Sequence, residues 1–298
     1  MLNSCINYVD FHCHCDLLPG FASETFQLNE DVAAVAVTTT PLAWSKNVEV
    51  SKRTAGMYPA LGMHPQLVGS RYDDHFSFSQ FVNGTQIIGE IGLDGSQAYK
   101  QTLDMQEAVF SHILELCSEE KIERLMSIHS LKAEVRLIKH FQKYVSSARY
   151  TPVFHWFTGS VPQASKLLDM GAKFSINYKM VKTKGGQDLL SHVPKESVLI
   201  ETDMPFTSKN LSSEHHRSLL METVSKISTI WSMAEEECSA LILRNSSEIY
   251  QGFKTNDVHV ASSTFMALSS DAIWRLSFHI LTNARSLIPH SFYKMAAQ

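Results

Sequence analysis

The sequence predicts an α/β fold, a (β/α)8 TIM barrel, and two observations support this prediction. Short apolar runs rich in β-branched residues recur eight times between residues 6 and 203, and stretches with helical periodicity separate most of them. Strands that alternate with helices in this way are typical of a parallel sheet covered by helices. The eight predicted strands are residues 6–12, 33–40, 58–64, 86–92, 124–129, 152–157, 173–177 and 198–203.

The helical segments are clearest where one apolar stripe repeats at helical spacing. Residues 103–120 and 131–145 each carry such a stripe, on which Met105 and Val135 are expected to face the core. Beyond the eighth strand, helical patterns also occupy residues 214–230 and 233–250.

The order of elements also leaves an alternative, because a doubly wound open sheet alternates strands and helices as well. The glycine-rich strand-to-helix fingerprint of its dinucleotide-binding members is missing here, so the barrel is favoured. We expect one barrel domain over residues 1–253, followed by a C-terminal tail over residues 254–298. The AIWRLSFHIL segment of this tail could be an amphipathic helix packed on the barrel, an oligomer contact or a late addition to the chain.

Composition limits the classes of function. A formal net charge of −4 argues against a protein that grips nucleic acid by a broad basic face. An enzyme on phosphodiesters remains compatible with it, because bound divalent ions can supply positive charge locally. Five cysteines without paired spacing favour a reducing cytoplasm, and we interpret Cys13 and Cys15 as strand residues more than as metal ligands. Neither an export signal nor the roughly 20 apolar residues of a membrane span is found, so a cytoplasmic location is expected.

Residues with metal-binding side chains fall at the ends of the predicted strands. His12 and His14 are two positions apart in FHCH, so a strand directs both to one face, where they could grip one ion. A His-x-His pair alone is weak evidence, since it also arises by chance. In a barrel, however, the C-terminal strand ends form the face that holds active sites. Four further residues fall at such ends: Glu90, His129, His155 and Asp203.

These six residues favour a metal centre over six separate core or turn residues. Four imidazoles and two carboxylates suffice for two divalent ions about 4 Å apart, and such a mixed donor set accepts Mg, Mn or Zn. Asp203 could also accept the proton of a water whose pKa the ions lower. We predict that Glu90 bridges the ions, with His12, His14 and Asp203 around the first and with His129 and His155 around the second.

In these segments the sequence resembles the TatD family of metal-dependent deoxyribonucleases, within the larger group of amidohydrolase-like barrels. The matching motifs are DFHCH, LGMHP, GEIGLD, SIHS, FHWFTGS and ETDMPF, in the family's order over residues 10–206, with RNSSEIYQ near the end of the barrel. The resemblance implies metal-dependent DNA hydrolysis, often 3′-to-5′ exonuclease action on DNA ends or single strands. It implies the same six metal ligands, and for His64 of GMHP a contact with substrate phosphate or a catalytic role.

Some motifs are similar to a subgroup of this family. VTTTP with Trp44, ALGMHPQL, GEIGLDGS and HWFTGS resemble the TatD-like, QatD-type member of the Qat anti-phage system, which implies an ATPase and a QueC-like enzyme as partners. The GSQAYK stretch after GLD departs from the commoner family pattern, as do positions around Asp16 to Phe21, which leaves substrate preference open. Glu201 precedes Asp203 by two residues, so a strand would place both on one face. It could support a ligand from behind or add a carboxylate to the site.

Substrate contacts are expected after the seventh strand. The loop NYKMVKTKGG carries Lys179, Lys182 and Lys184, and barrel enzymes often hold phosphate near strands seven and eight. This loop is either a phosphate cradle or a solvated basic loop. Aromatic residues at predicted strand ends could stack on a nucleobase, but walling the pocket is the commoner role; these residues are Trp44, Trp156 and Phe157.

The sequence leaves three hypotheses. The first is a barrel phosphodiesterase that acts on DNA. The second keeps the barrel and the metals but replaces DNA by a small amide, ester or lactone. Glu90 tilts the interpretation toward the first, because it stands where such amidohydrolase-like enzymes commonly have a carboxylated lysine. The third is a subunit of a defence complex that mainly binds and whose hydrolysis is vestigial or gated by partners.

Overall fold

A computed structural model describes residues 6–23, 25–118, 122–144 and 150–250. Its eight strands are β1 (Tyr8–Cys13), β2 (Val32–Ala36), β3 (Met57–Pro59), β4 (Ile87–Gly92), β5 (Arg124–His129), β6 (Tyr150–His155), β7 (Lys173–Ile176) and β8 (Val198–Ile200). They form one parallel sheet in the order β3-β2-β1-β8-β7-β6-β5-β4. A parallel bridge between Leu61 and Ile88 joins its two edges, so the predicted TIM-barrel-type α/β fold is confirmed.

The strands could be predicted from the sequence because they are buried on both faces. All five residues of β2, VAAVA, are buried, as are all six of β4. Parallel strands covered by helices carry such near-continuous apolar runs, whereas half-exposed strands alternate. Each run therefore marks a strand whose far end can deliver side chains to one face of the barrel.

The helices that cover the barrel are α1 (Trp44–Ser51), α2 (Val68–Arg71), α3 (Phe78–Phe81), α4 (Leu103–Ser118), α5 (Glu134–Tyr144), α6 (Val161–Leu168), α7 (Lys184–His192), α8 (Ser213–Trp231) and α9 (Glu235–Tyr250). The predicted patterns at 214–230 and 233–250 correspond to α8 and α9. Helix α8 begins where the Ser212 hydroxyl accepts a hydrogen bond from the amide of His215, at 3.2 Å, and it ends at Ser232 in the left-handed conformation.

The predicted inner faces of two helices are partly wrong. Met105 of α4 is 39% exposed and Val135 of α5 is 57% exposed. Helix α4 buries Gln106 instead of Met105. The side-chain amide oxygen of Gln106 accepts a hydrogen bond from the backbone amide of Asp94 at 2.7 Å. Relative to the prediction, α4 is therefore rotated so that Gln106 contacts Asp94 in the loop after β4. The spacing of apolar residues does not predict this polar contact.

Two further observations concern the setting of the chain. Among the described residues, no helix combines the length and the apolar character that a membrane crossing needs. The four cysteines described are buried free thiols: Cys13, Cys15, Cys117 and Cys238. The predicted tail, residues 254–298, lies outside the described residues.

Candidate metal centre

Side chains from several strands and their following loops meet at the C-terminal end of the barrel. Strands β1, β4, β5 and β6 each contribute, and His14 directly follows β1. His64 joins them from the segment after β3, where GMHP begins a short 3₁₀ turn. The structure thus brings together all the residues predicted from the motifs at this face: His12, His14, His64, Glu90, His129, His155 and Asp203.

The Glu90 carboxylate lies at the middle of this cluster and is 1% exposed. Five imidazoles contact it. Its Oε1 lies 2.8 Å from Nε2 of His155, 2.9 Å from Nδ1 of His129 and 3.1 Å from Nε2 of His64. Its Oε2 lies 3.3 Å from Nε2 of His14 and 3.4 Å from Nε2 of His12. One carboxylate therefore contacts nitrogen donors on two sides.

Asp203 reaches the cluster from a loop, because β8 ends at Ile200 and not at residue 203 as predicted. Its φ of 52° lies in the left-handed region, where a residue other than glycine pays roughly 1–3 kcal/mol, a cost concentrated at functional sites. Asp203 Oδ1 lies 3.6 Å from Nε2 of His14 and 3.8 Å from Nε2 of His12. Burial raises the pKa of Asp203 to about 7, although His155 and His14 oppose the shift. The carboxylate can therefore exchange a proton near neutral pH.

The imidazoles of His12 and His129 each form a hydrogen bond through the ring nitrogen that does not contact Glu90. His12 Nδ1 lies 2.7 Å from the Ser127 hydroxyl, on the side of the ring away from Glu90. His129 Nε2 lies 3.3 Å from Oδ2 of Asp94, which also accepts a hydrogen bond from the Gln66 side chain at 2.8 Å. Metal-binding histidines typically use one nitrogen for the ion and the other for such a partner, which fixes the orientation of the ring.

Glu201 lies near the outer nitrogen of His155, but it does not hydrogen-bond to it. Its Oε1 lies 3.9 Å from His155 Nδ1. Because Glu201 and Asp203 both lie beyond β8, the predicted strand face that they would share does not form. The Glu201 carboxylate instead accepts hydrogen bonds from the Asn177 side chain at 2.9 Å, the Trp156 amide at 3.1 Å and the Ser175 hydroxyl.

His64 differs from the other imidazoles because its proton can be placed. The amide of Gln66 donates to His64 Nδ1 at 3.1 Å, so Nδ1 is an acceptor and the neutral ring carries its hydrogen on Nε2. Burial lowers the pKa of His64, although the Glu90 carboxylate opposes the shift. His64 is therefore a neutral donor whose Nε2–H points at Glu90 and the middle of the site.

The cluster has the donor set of a divalent metal site. His12, His14 and Glu90 present one ligand atom each within 4.8 Å of one another, and so do His64, Glu90 and His129. Three buried polar atoms here lack a hydrogen-bond partner: His14 Nδ1, Glu90 Oε2 and His155 Nδ1. A buried polar atom without a partner destabilises the folded protein, and a cation bound to Glu90 Oε2 would remove this penalty for that atom. The residues present therefore fit a metal ion.

Metal binding is expected to stabilise the fold. At a hundredfold excess over Kd, a ligand of the native state contributes about 2.7 kcal/mol, which raises Tm by roughly 5–10 °C for a barrel of this size. Differential scanning fluorimetry of chelated protein, with Mg, Mn or Zn restored separately, measures this shift. The Glu90→Gln protein serves as the control that should not respond. An unchanged Tm with every metal would contradict the fit.

The predicted substrate contacts are only partly at the site. Lys179 is half-buried, with Nζ 5.7 Å from the centre of the Trp156 ring and 3.4 Å from the carbonyl of Phe206. Burial lowers the pKa of Lys179, and the nearby Asp203 carboxylate opposes the shift. Trp156 itself follows His155 with a φ of 38°. Lys179 and Trp156 thus form an edge of the site next to Asp203.

The other predicted contacts lie elsewhere. Trp44 is 1% exposed and Phe157 is 3% exposed, and both belong to the hydrophobic core, so neither can stack on a base. Lys182 is exposed and its Nζ lies 3.5 Å from the centre of the Tyr178 ring. Lys184 is exposed at the start of α7. The basic loop therefore places Lys179 nearest the cluster.

Three polar residues of the site are not predicted from the sequence. Ser127 lies two positions before His129, so the period of a strand could have placed it on the inner face. Asp94 is the last residue of the GEIGLD motif, four positions after Glu90. Gln66 has no sequence signal beyond its place after GMHP. Its role follows only from its contacts with His64 and Asp94.

Comparisons with known proteins agree with this geometry. A family model described as TatD related DNase matches residues 9–251. An uncharacterized metal-dependent hydrolase of Escherichia coli, YjjV, is 25% identical over 212 residues, which is 66% of this chain and 79% of the relative. The 3′-5′ ssDNA/RNA exonuclease TatD of Klebsiella pneumoniae is 28% identical over 186 residues, 59% of this chain and 68% of the relative. A crystal structure of the E. coli YjjV protein superposes with a TM-score of 0.67 at 19% identity, and covers 81% of this chain and 97% of that one.

Proposed function

Because the chain belongs to the TatD family of DNase-related, metal-dependent hydrolases, we propose that it hydrolyses phosphodiester bonds of DNA, as a 3′-to-5′ exonuclease on ends or single strands. The observation that carries this proposal is the Glu90 carboxylate with five imidazoles around it and Asp203 beside it. The relative from K. pneumoniae, a named 3′-5′ ssDNA/RNA exonuclease, supports the choice of substrate.

In this proposal six residues would hold two divalent ions, with Glu90 at the middle of the set. When bound, such ions polarise a phosphoryl oxygen and lower the pKa of water. Asp203 would accept the proton of the attacking water, because its carboxylate lies at the edge of the cluster, with Oδ1 3.6 Å from Nε2 of His14. The remaining ligands are His12, His14, His129 and His155.

His64 is proposed as a catalytic contact with the substrate. Its hydrogen is on Nε2, and that nitrogen faces the middle of the site at 3.1 Å from Glu90 Oε1. A neutral imidazole in this tautomer can donate to a nonbridging oxygen of the scissile phosphate, where negative charge develops. Glu201 is proposed to act behind His155 as its supporting carboxylate.

Labelled single-stranded DNA tests the function directly. The purified protein is chelated, and then Mg, Mn or Zn is restored separately with 5′-labelled and 3′-labelled substrates. We expect a metal-dependent ladder from the 5′-labelled strand that shortens from the 3′ end, and none from the Glu90→Gln protein. If no metal supports cleavage, while esters or lactams are hydrolysed under the same conditions, the substrate class proposed here is wrong.

Lys179→Ala is expected to weaken substrate binding more than turnover. Loss of one phosphate contact should raise KM several-fold and should reduce the salt dependence of binding by about 0.7 in the log–log slope for a single strand. Steady-state kinetics at several salt concentrations measure both quantities. Lys184→Ala, which changes an exposed lysine at the start of α7, is the matched control. If the two variants had equal effects on KM and on the salt dependence, Lys179 would not be a specific phosphate contact, and the loop would be a solvated basic surface.

We also propose that hydrolysis serves anti-phage defence in the cytoplasm, alongside the ATPase and the QueC-like enzyme of a Qat system. Support comes from the subgroup motifs ALGMHPQL and HWFTGS and, for the cytoplasm, from buried free thiols in the described part of the chain. In phage-challenged cells, a Glu90→Gln protein at wild-type abundance should give no protection. Full protection by that variant would favour a binding subunit over an enzyme.

A further inference from the structure

A second buried cluster lies behind β1, outside the candidate metal centre. The Asp10 carboxylate is fully buried and accepts four hydrogen bonds. Its Oδ1 accepts from the amides of His12 and Thr202, each at 3.0 Å. Its Oδ2 accepts from the Thr202 hydroxyl at 2.5 Å and from Nε2 of His216 on α8 at 2.7 Å. One side chain thus ties together strand β1, the loop after β8 and helix α8.

Asp10 lies at the boundary between β1 and β8, here called the β1–β8 seam, which has fewer residue pairs than the other neighbouring strands in the sheet order. Strands β1 and β8 share one pair of residues in register, Asp10 and Ile200, whereas β5 and β6 share five. Beyond that pair, the amide of Asp203 donates to the carbonyl of His12 at 2.8 Å. The proposed ligands His12 and Asp203 therefore face each other across this seam, and the Asp10 hydrogen bonds reach the amide of His12 and the residue before Asp203.

This cluster is not a second metal site, although ligand atoms of Asp10, Cys13 and His216 lie within 4.8 Å of one another. Both Asp10 oxygens already accept two hydrogen bonds each, which leaves no lone pair free for an ion. A hydrogen bond with Cys15 and burial raise the pKa of the Cys13 thiol well above its usual range, so it stays neutral. The contacts instead describe a hydrogen-bonded network.

His216 completes that network from α8. It is 2% exposed, and burial opposes its protonation, but hydrogen bonds to Asp10 and Cys13 raise its pKa to about 10. Without this donor, Asp10 Oδ2 would keep only the Thr202 hydroxyl as a partner, and a buried acceptor that loses a hydrogen bond costs free energy unless its side chain shifts.

We propose that His216 is a positioning residue, which holds Asp10 in place and thereby sets the spacing of His12 and Asp203 across the β1–β8 seam for metal binding. The inference deepens the proposed function, since it rests on the assignment of these two residues to the metal centre. It does not depend on DNA as the substrate. Support from behind a metal site typically changes affinity by about 10–100-fold.

Titration of metal-free protein with Co²⁺, followed by its visible absorption, tests the proposal without any nuclease assay. His216→Leu should weaken Co²⁺ binding by about 10–100-fold. His216→Gln, which keeps a donor toward Asp10, should restore most of the affinity. His215→Ala changes the neighbouring residue, which contacts Ser208 instead of Asp10, and should bind Co²⁺ as the wild type does. The Tm of each metal-free protein is measured alongside.

Wild-type affinity in His216→Leu would overturn the proposal. The proposal would also be overturned if His216→Leu and His216→Gln lost Co²⁺ affinity equally and in proportion to their decrease in Tm. That result is expected of a residue that only stabilises the fold.

If His216→Leu does not fold, Thr202→Val removes another donor to Asp10, with Thr202→Ser as its rescue. A wild-type protein that binds Co²⁺ but cuts no DNA would defeat the proposed function and leave this inference standing. A wild-type protein that binds no Co²⁺ would overturn the inference.

Discussion

The Glu90→Gln protein is expected to lose hydrolysis almost completely, while its barrel stays folded. Five imidazoles contact the Glu90 carboxylate, and an amide in its place removes the negative charge and turns an N–H donor toward ring nitrogens. Since metal ions contribute several kcal/mol to transition-state stabilisation, kcat/KM should fall by about a thousandfold or more. The substitution should also abolish the rise in Tm on metal addition.

Initial rates on labelled DNA and the metal content after dialysis measure the two effects of this substitution. Glu107→Gln is a suitable control, because Glu107 is a half-buried residue of α4 that pairs with Arg136 at 3.2 Å and is not one of the proposed ligands. The control should keep both the wild-type rate and the wild-type metal content. Wild-type turnover by the Glu90→Gln protein would rule out the assigned centre.

The Asp203→Asn protein is expected to fail in turnover more than in metal binding. In the proposed centre, four imidazoles and Glu90 remain to hold metal, but the group proposed to accept the proton is gone. Positioned proton transfer typically contributes 10²–10⁴-fold, so kcat should fall by about that factor while KM changes little. Single-turnover kinetics at saturating metal isolate the chemical step. Asp188→Asn on the exposed side of α7 is the matched control.

Excess metal provides the decisive comparison for Asp203. If raising the metal concentration restored the rate of Asp203→Asn, the residue would be a ligand alone, and its proton-accepting role would be wrong. A rate that stays low with full metal occupancy supports both roles.

The barrel could be predicted from the sequence because parallel strands are buried on both faces. The eight apolar runs correspond to the eight strands, although β3 and β8 are only three residues long. The helix faces were harder to predict, because several apolar residues share each turn of α4. Whether Met105 or Gln106 faces inward depends on a hydrogen bond to Asp94, which lies in another segment.

The residues of the site were predicted from their motifs, but the residues behind them were not. His12 and Glu90 stand in sequence patterns whose spacing suggests chemistry. Ser127 and His216 are ordinary residues of a strand and of a helix, and their importance arises only when the fold places them against His12 and Asp10. A single sequence contains no pattern that pairs residues 115 or 206 positions apart.

The order of the strands divides the site between two arcs of the barrel. The arc from β1 to β3 contributes His12, His14 and His64, and the arc from β4 to β8 contributes Glu90 and the rest. Neither arc alone gathers both a central carboxylate and the His-x-His pair. The proposed chemistry thus depends on the closed ring: we expect a nascent or clipped chain that holds one arc to be inert, and the proposed hydrolysis to begin only after the ring has closed.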